Sequence, residues 1–245
     1  MIRKNIFILL FFIATFISCS KIDNYKAPDG DVYGKLTDLM TNDGIQTEEP
    51  NGYNIKMFEK GWLMSTPITF GGKVDGTFEN ALVFQNSYKI LPVDGPFFPI
   101  TDTASVQVGG RTEVNFNVMP FVSVTNVTAT PGANKVTLVY SIVRSQPLPA
   151  YATAWPKITT RKSLLSKVSV CNNTTNNLSA STSTTAITDV TLLATTFTDV
   201  ITGTTAIPLV SGTTYWVRVG VLASGSGYNS LNRYNYGKTI QITMP

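Results

Sequence analysis

The stretch LVSGTTYWVRVGVLA, from Leu209 to Ala223, decides the fold. Tyr215, Val217, Val219 and Val221 recur at every second residue, so one face of a β-strand is apolar and packs inward. Trp216 and Arg218 occupy the alternate positions and are expected to face away from the core. There they would form either a ligand surface or a cation–π pair. Val124 to Val143, VTNVTATPGANKVTLVYSIV, reads as two strands around a Pro131-Gly132 turn, with Val136, Leu138, Tyr140 and Ile142 on one face. Further upstream, VYGKLTD, YNIKMFE, TFENALVF, SYKILPV and TEVNFNV read as strands split by turn residues. In the last of these Val114, Phe116 and Val118 face the core while Glu113, Asn115 and Asn117 face water. No long stretch has helical period after Asp31. The expectation is an all-β chain of two β-sandwich domains in series.

The N-terminus reads differently. Arg3 and Lys4 precede an apolar run from Ile6 to Ile17, and Ser18-Cys19 follows as a small-residue junction, the layout of an export signal. About a dozen apolar residues are too few for a membrane span, which needs roughly 20. Phe16-Ile17-Ser18-Cys19 resembles a bacterial lipobox, with Phe16 and Ser18 departing from its commonest form. That resemblance implies cleavage before Cys19 and lipidation of its thiol. Residues 1–18 are then the signal peptide, 19–27 a lipidated tether, and the mature protein is held in a membrane by its acyl chains. Ser20 to Tyr25 resembles the short acidic-containing tails of surface lipoproteins of Bacteroidota, which implies exposure on the outer membrane.

Composition removes several classes of function. The chain has 245 residues, 2 cysteines and no histidine. Without histidine there is no Ser-His-Asp or Cys-His pair and no His-ligated zinc. With Cys19 lipidated, Cys171 has no intrachain partner, and it is read as a small buried hydrophobe. Loss of Arg3 and Lys4 with the leader leaves 17 positive against 15 negative charges, no electrostatic footprint for nucleic acid. No metal site or cofactor is expected: Asp29, Asp31 and the Glu48-Glu49 pair lack the spacing of a calcium loop and read as solvated loop charge. No two carboxylates are placed as a glycoside hydrolase would require. A non-catalytic protein is expected.

Resemblances add to this. Val32 to Asp38 together with VDGTFENALVFQNSYKILPV, Val74 to Val93, resembles the carboxypeptidase-regulatory-like, or transthyretin-like, sandwich, although Ser87 stands where a glycine is usual. Leu209 placed six residues before Tyr215 resembles the tyrosine corner of a fibronectin type III, immunoglobulin-like sandwich. The domains are thus 28–118 and 119–245. The order of the lipobox, SKIDNYKAPDG, Glu59-Lys60-Gly61-Trp62, DGTFENALVFQNSYKI and VDGPFFP resembles the two-domain Bacteroidota lipoproteins of unknown function encoded beside SusC/SusD-type glycan uptake systems. The resemblance implies a surface accessory protein of polysaccharide capture. Its partners would be a polysaccharide or SusC/SusD-like outer-membrane proteins. The competing reading is a spacer or docking protein without sugar affinity.

A sugar binder needs exposed aromatic faces beside hydrogen-bonding groups. Trp62 fits such a platform, or else packs in the core or between domains. Trp155, between Ala154 and Pro156, is expected to be exposed. The loop SGSGYNSLNRYNYGK crowds Tyr228, Asn229, Asn232, Arg233, Tyr234 and Tyr236 into one short stretch. It is the best single candidate for ligand contact, with cross-strand packing as its alternative. GPFFP reads as a turn whose Phe97 and Phe98 pack between domains, Asn172 to Thr185 as a flexible loop, and Ala186 to Thr202 as a packing segment. Asp102-Thr103-Ala104 resembles the short motif at which Bacteroidota O-glycosylate exported proteins, which marks Thr103.

Overall fold

The computed structural model describes residues 26–61, 66–144, 147–175, 178–183, 195–224 and 227–245. The expected signal peptide, Cys19 and Trp62 lie outside the described residues. Among those described there are strands and no helix, arranged around two principal apolar cores.

In the first sandwich, β1 (Gly30–Asp38) pairs antiparallel with β4 (Thr77–Val83) on one side. On its other side it runs parallel to the short strands β7 (Arg111–Glu113) and β8 (Phe116–Val118). The second sheet has the order β3 (Ile68–Gly71), β2 (Asn54–Glu59), β5 (Ser87–Val93), β6 (Ala104–Gln107). Alternation along β1 puts Val32 and Leu36 inward, where they meet Ile55, Met57, Phe78 and Ile90. A Cβ at Gly34 would collide with the Val114 carbonyl, so the glycine is what lets β1 lie against the segment between β7 and β8. Asp75 and Gly76 form a tight turn into β4. Asp75 Oδ1 accepts from the Thr77 amide at 3.1 Å and hydroxyl at 2.7 Å, Gly76 takes φ 82°, and the Tyr53 hydroxyl donates to the Gly76 carbonyl at 2.8 Å.

In the second sandwich, β9 (Ser123–Gly132), β10 (Lys135–Val143) and β13 (Thr195–Thr202) form one sheet in the order β13-β10-β9. The other sheet is β12 (Ser179–Ser183), β11 (Lys157–Ser166) and β14 (Thr214–Ser224), with β15 (Tyr234–Tyr236) and β16 (Ile240–Thr243) both pairing to β14. Val136, Leu138, Tyr140 and Ile142 are fully buried against Tyr215, Val217, Val219 and Val221. The Tyr215 hydroxyl accepts from the Val210 amide at 3.2 Å, the local bond anticipated for a tyrosine corner. Asp199 ties the sheets together, accepting from the Tyr140 hydroxyl at 2.9 Å and the Ser163 hydroxyl at 2.7 Å.

Two local expectations are corrected. The hairpin turns at Ala133-Asn134, with Asn134 at φ 55°, and not at Pro131-Gly132. Pro131 instead pairs with Val136 inside β9, which a proline can do because β9 ends its sheet. Asn172 does not open a flexible loop either. Its amide nitrogen donates to the Glu49 carbonyl at 2.8 Å, and its Oδ1 accepts from the Thr174 and Thr175 amides at 2.9 and 2.8 Å. The segment then enters β12, and 184–194 lie outside the described residues.

Phe97 and Phe98 do pack between domains, and they divide the work: Phe97 belongs to the first core and Phe98 to the second. Phe98 meets Phe121, Trp155 and Tyr228 edge-on at centroid distances of 5.1, 5.4 and 5.4 Å. Phe98→Ala should therefore destabilise the protein by about 3–5 kcal/mol. A urea-unfolding midpoint with unchanged slope measures this, and a cost near zero would show that the ring is not a packing anchor.

Candidate functional site

β14 carries apolar side chains on one face and Arg218 on the other. In an isolated sandwich that second face would be wet. Here the first sandwich covers it, and Arg218 is 1% exposed. Its Nη1 donates to the carbonyls of Thr47 at 2.9 Å and Cys171 at 3.2 Å. Its Nε donates to Gly237 at 3.1 Å and its Nη2 to Val74 at 3.4 Å. Two of those carbonyls come from each sandwich. Burial pulls the guanidinium down to about 10, so it remains charged at neutral pH.

Tyr236 stacks on this charge, with the guanidinium carbon 4.3 Å from the ring centroid. Its partner across the strands is Gly220, where a Cβ would strike the ring. The Tyr236 hydroxyl donates to Glu48 Oε1 at 2.9 Å and accepts from the Asn173 amide at 2.9 Å. The Tyr236 amide donates to the Gln46 carbonyl at 3.0 Å, which carries main-chain pairing across the junction. Asn235 Nδ2 donates to Pro96 O at 2.9 Å, and the Ser123 hydroxyl donates to Asp38 Oδ2 at 2.7 Å. The Val74 carbonyl lies at the entry to the Asp75-Gly76 turn, so this turn is also part of the joint.

The structure therefore reassigns most residues that the sequence offered as ligand contacts. Arg218 is a buried interdomain clasp and pairs with Tyr236, not with Trp216. Trp216 is half-buried on β14, between Ser166 and Gln241 of the neighbouring strands. Trp155 is buried in the second core, because the chain after Ala152 folds back over Phe98. Tyr234 and Tyr236 are buried with Leu164 and Cys171 in a small third cluster. Asn229 is committed internally, donating to the Ala223 and Arg233 carbonyls at 2.6 and 2.9 Å. Tyr228 packs on Phe98 and donates to the Tyr151 carbonyl at 3.3 Å. Asn232 is exposed at φ 53° and Arg233 is half-buried. Glu48 is not solvated loop charge but a buried acceptor. Cys171 is fully buried, and burial pushes its thiol up to about 11. Thr103 is exposed just before β6.

Beside the clasp lies a cleft of about 440 Å³, lined by both sandwiches. Gln46, Asp43 and Thr41 contribute from the first, and Thr125, Asn126 and Lys238 from the second, over an apolar floor that includes Ile45, Val124 and Val127. Lys238 reaches Asp43 across it at 2.8 Å. Sequence reasoning missed this cleft because its residues are scattered and unremarkable until the joint brings them together. A second, smaller groove of about 230 Å³ runs between Asp94, Gly95 and Pro99 and the loop from Tyr228 to Leu231.

The class defined by this arrangement is an all-β protein of two joined sandwiches. Residues 31–119 match the family model described as Protein of unknown function (DUF3823) N-terminal domain. Among solved structures, a candidate carbohydrate-binding protein from Bacteroides uniformis is similar at 23% identity and TM-score 0.71, over 89% of this chain and 100% of that one. DUF3823 family proteins from Bacteroides uniformis and Parabacteroides merdae match at 19% and 24% identity, with TM-scores 0.73 and 0.69 and the same coverage. These likenesses establish a shared fold through both sandwiches. No curated protein matches the chain.

Arg218→Met should cost about 3–5 kcal/mol, because it strips the donor from carbonyls that stay buried. Equilibrium denaturation measures the loss, and a neutral effect would contradict the clasp. A pH effect follows from Glu48. Burial pushes its carboxyl above the ordinary 4.5, against the pull of the Tyr236 hydroxyl and of the charges on Arg233, Arg218 and Lys162. With the folded value above the unfolded one, this contribution is complete below pH 4.5 and is lost as pH rises through the folded value. Glu48→Gln should flatten that decline, read from urea midpoints between pH 4.5 and 8, while an unchanged slope would assign the decline elsewhere. Asp38, also raised by burial, keeps its own share in both proteins.

Proposed function

We propose that this chain belongs as a whole to the DUF3823 family and is a non-catalytic lipoprotein, anchored through Cys19 in the outer membrane, that binds glycan at the cell surface or serves a SusC/SusD-like uptake complex. The observation that carries the reading is the cleft of about 440 Å³ at the joint, a size suited to one or a few sugar units. Its rim offers amide, hydroxyl, carboxylate and ammonium groups, the donors and acceptors that sugar hydroxyls use. The candidate carbohydrate-binding protein of the same fold supports this, and so does the absence of histidine from the chain. The fold assignments that go with it are a carboxypeptidase-regulatory-like first sandwich and a fibronectin type III-like second one. Thr103 is the proposed O-glycosylation site.

One observation favours the docking reading. Sugar platforms are usually aromatic, yet among the described residues only Phe84 and Tyr151 are exposed large aromatics. The experiment that separates the two readings is affinity electrophoresis against a polysaccharide panel, with Gln46→Ala and Asn126→Ala in the cleft and Tyr151→Ala beside the smaller groove. Retardation by one polymer, weakened about tenfold by either cleft substitution, is the expected result, equivalent to losing a hydrogen bond of about 1.4 kcal/mol. No retardation by any polymer would transfer the protein to the docking class. Trp155→Ala or Tyr234→Ala would test folding, since both residues are buried.

A further inference from the structure

The tether joins the first sandwich at β1, and an irregularity in the neighbouring edge strand lies at that point. Along β4 the register with β1 slips between the pairs Val32↔Asn80 and Gly30↔Val83, a β-bulge that inserts one extra residue into β4. Asn80 Oδ1 accepts from the Leu82 amide at 3.2 Å and stabilises the bulge. Strict alternation from Phe78 would have sent Leu82 into the core. The bulge sends Val83 there instead, fully buried, and leaves Leu82 75% and Phe84 49% exposed. Leu82 lies on β4, a strand that ends its sheet, and Phe84 follows its last residue, so the two large apolar side chains stand two residues apart at the end of that edge.

Their surroundings say what covers them. Gln85, the next residue, donates to Asp29 Oδ1 at 3.0 Å, so the pair sits beside the start of β1. Lys26 lies seven Cα-to-Cα steps after Cys19, a length that spans at most about 25 Å. Any lipid on Cys19 is therefore held within reach of Leu82 and Phe84. The opposite end of β1 is Asp38, which lines the cleft at the joint, and nine strand residues place it about 27 Å from Gly30.

We propose that Leu82 and Phe84 are a membrane-contact patch that rests in the headgroup layer of the leaflet holding the Cys19 lipid. The patch steadies the protein with β1 rising from the membrane and the cleft turned toward the outside. This proposal rests on the lipid-anchor reading and adds to it a definite orientation.

The test uses the full lipoprotein reconstituted into vesicles of phosphatidylethanolamine and phosphatidylglycerol. Leu82→Cys is labelled with an environment-sensitive fluorophore, and Val210→Cys, an exposed position on the second sandwich, is labelled as the control. Cys171 is buried and leaves the label to the new thiol. The expected result is a blue-shifted emission at position 82, quenched several-fold more by doxyl-labelled lipid than at position 210. Equal quenching at both positions, with mass spectrometry confirming lipid on Cys19, would overturn the patch and leave the anchor standing. An unmodified Cys19 would overturn both. Dimerisation of the lipid-free protein, measured by analytical ultracentrifugation and abolished by Leu82→Ser, would assign the surface to a second copy and also overturn it.

Discussion

A guanidinium removed from water must find acceptors on every side, and Arg218 finds them only where two sandwiches meet. Four carbonyls, two from each sandwich, converge on it, and the Tyr236 ring lies against its face. Neither sandwich alone could satisfy it, so the charge makes the separated state costly and fixes one relative placement of the two. Around it the donors are spent with similar economy. The Tyr236 hydroxyl serves Glu48, and main-chain atoms of β15 reach back to Gln46. Phe97 and Phe98 anchor the same joint from its apolar side by entering different cores.

That constraint explains which parts of the molecule were legible in the sequence. Alternation at Tyr215 to Val221, Val136 to Ile142 and Val114 to Val118 is a local signal, and each of these faces is core. The parallel pairing of β7 and β8 with β1 was not legible, because it depends on Gly34 admitting a neighbour from far along the chain. Arg218 misled for a related reason: strand alternation correctly takes it out of its own core but does not say that another domain covers the outer face. The aromatic loop misled likewise. Crowding of Tyr228, Tyr234 and Tyr236 does mark an interface, but the partner is the same chain. Glu48 and Asn172 looked like loop polar groups, and the joint buries both.

The surface left over shapes the functional reading. With Trp155 and most of the described tyrosines committed to packing, the described protein presents a cleft whose chemistry is hydrogen-bonding more than stacking. Its two walls come from different sandwiches, so its shape depends on the Arg218 joint. The chain enters β1 at Gly30, and the cleft opens near the opposite end, at Asp38. On the proposed lipid anchor, that polarity turns the cleft away from the membrane.

Native-state hydrogen–deuterium exchange at two amides tests the joint most directly. The Tyr236 amide donates across the junction to Gln46, and the Asn173 amide donates to the Tyr236 hydroxyl. If the clasp fastens the sandwiches, both amides open only with global unfolding and exchange as slowly as the central strand amides of β14. Exchange on the timescale of exposed loops, with β14 still protected, would show that the sandwiches part freely and that the cleft between them has no fixed shape.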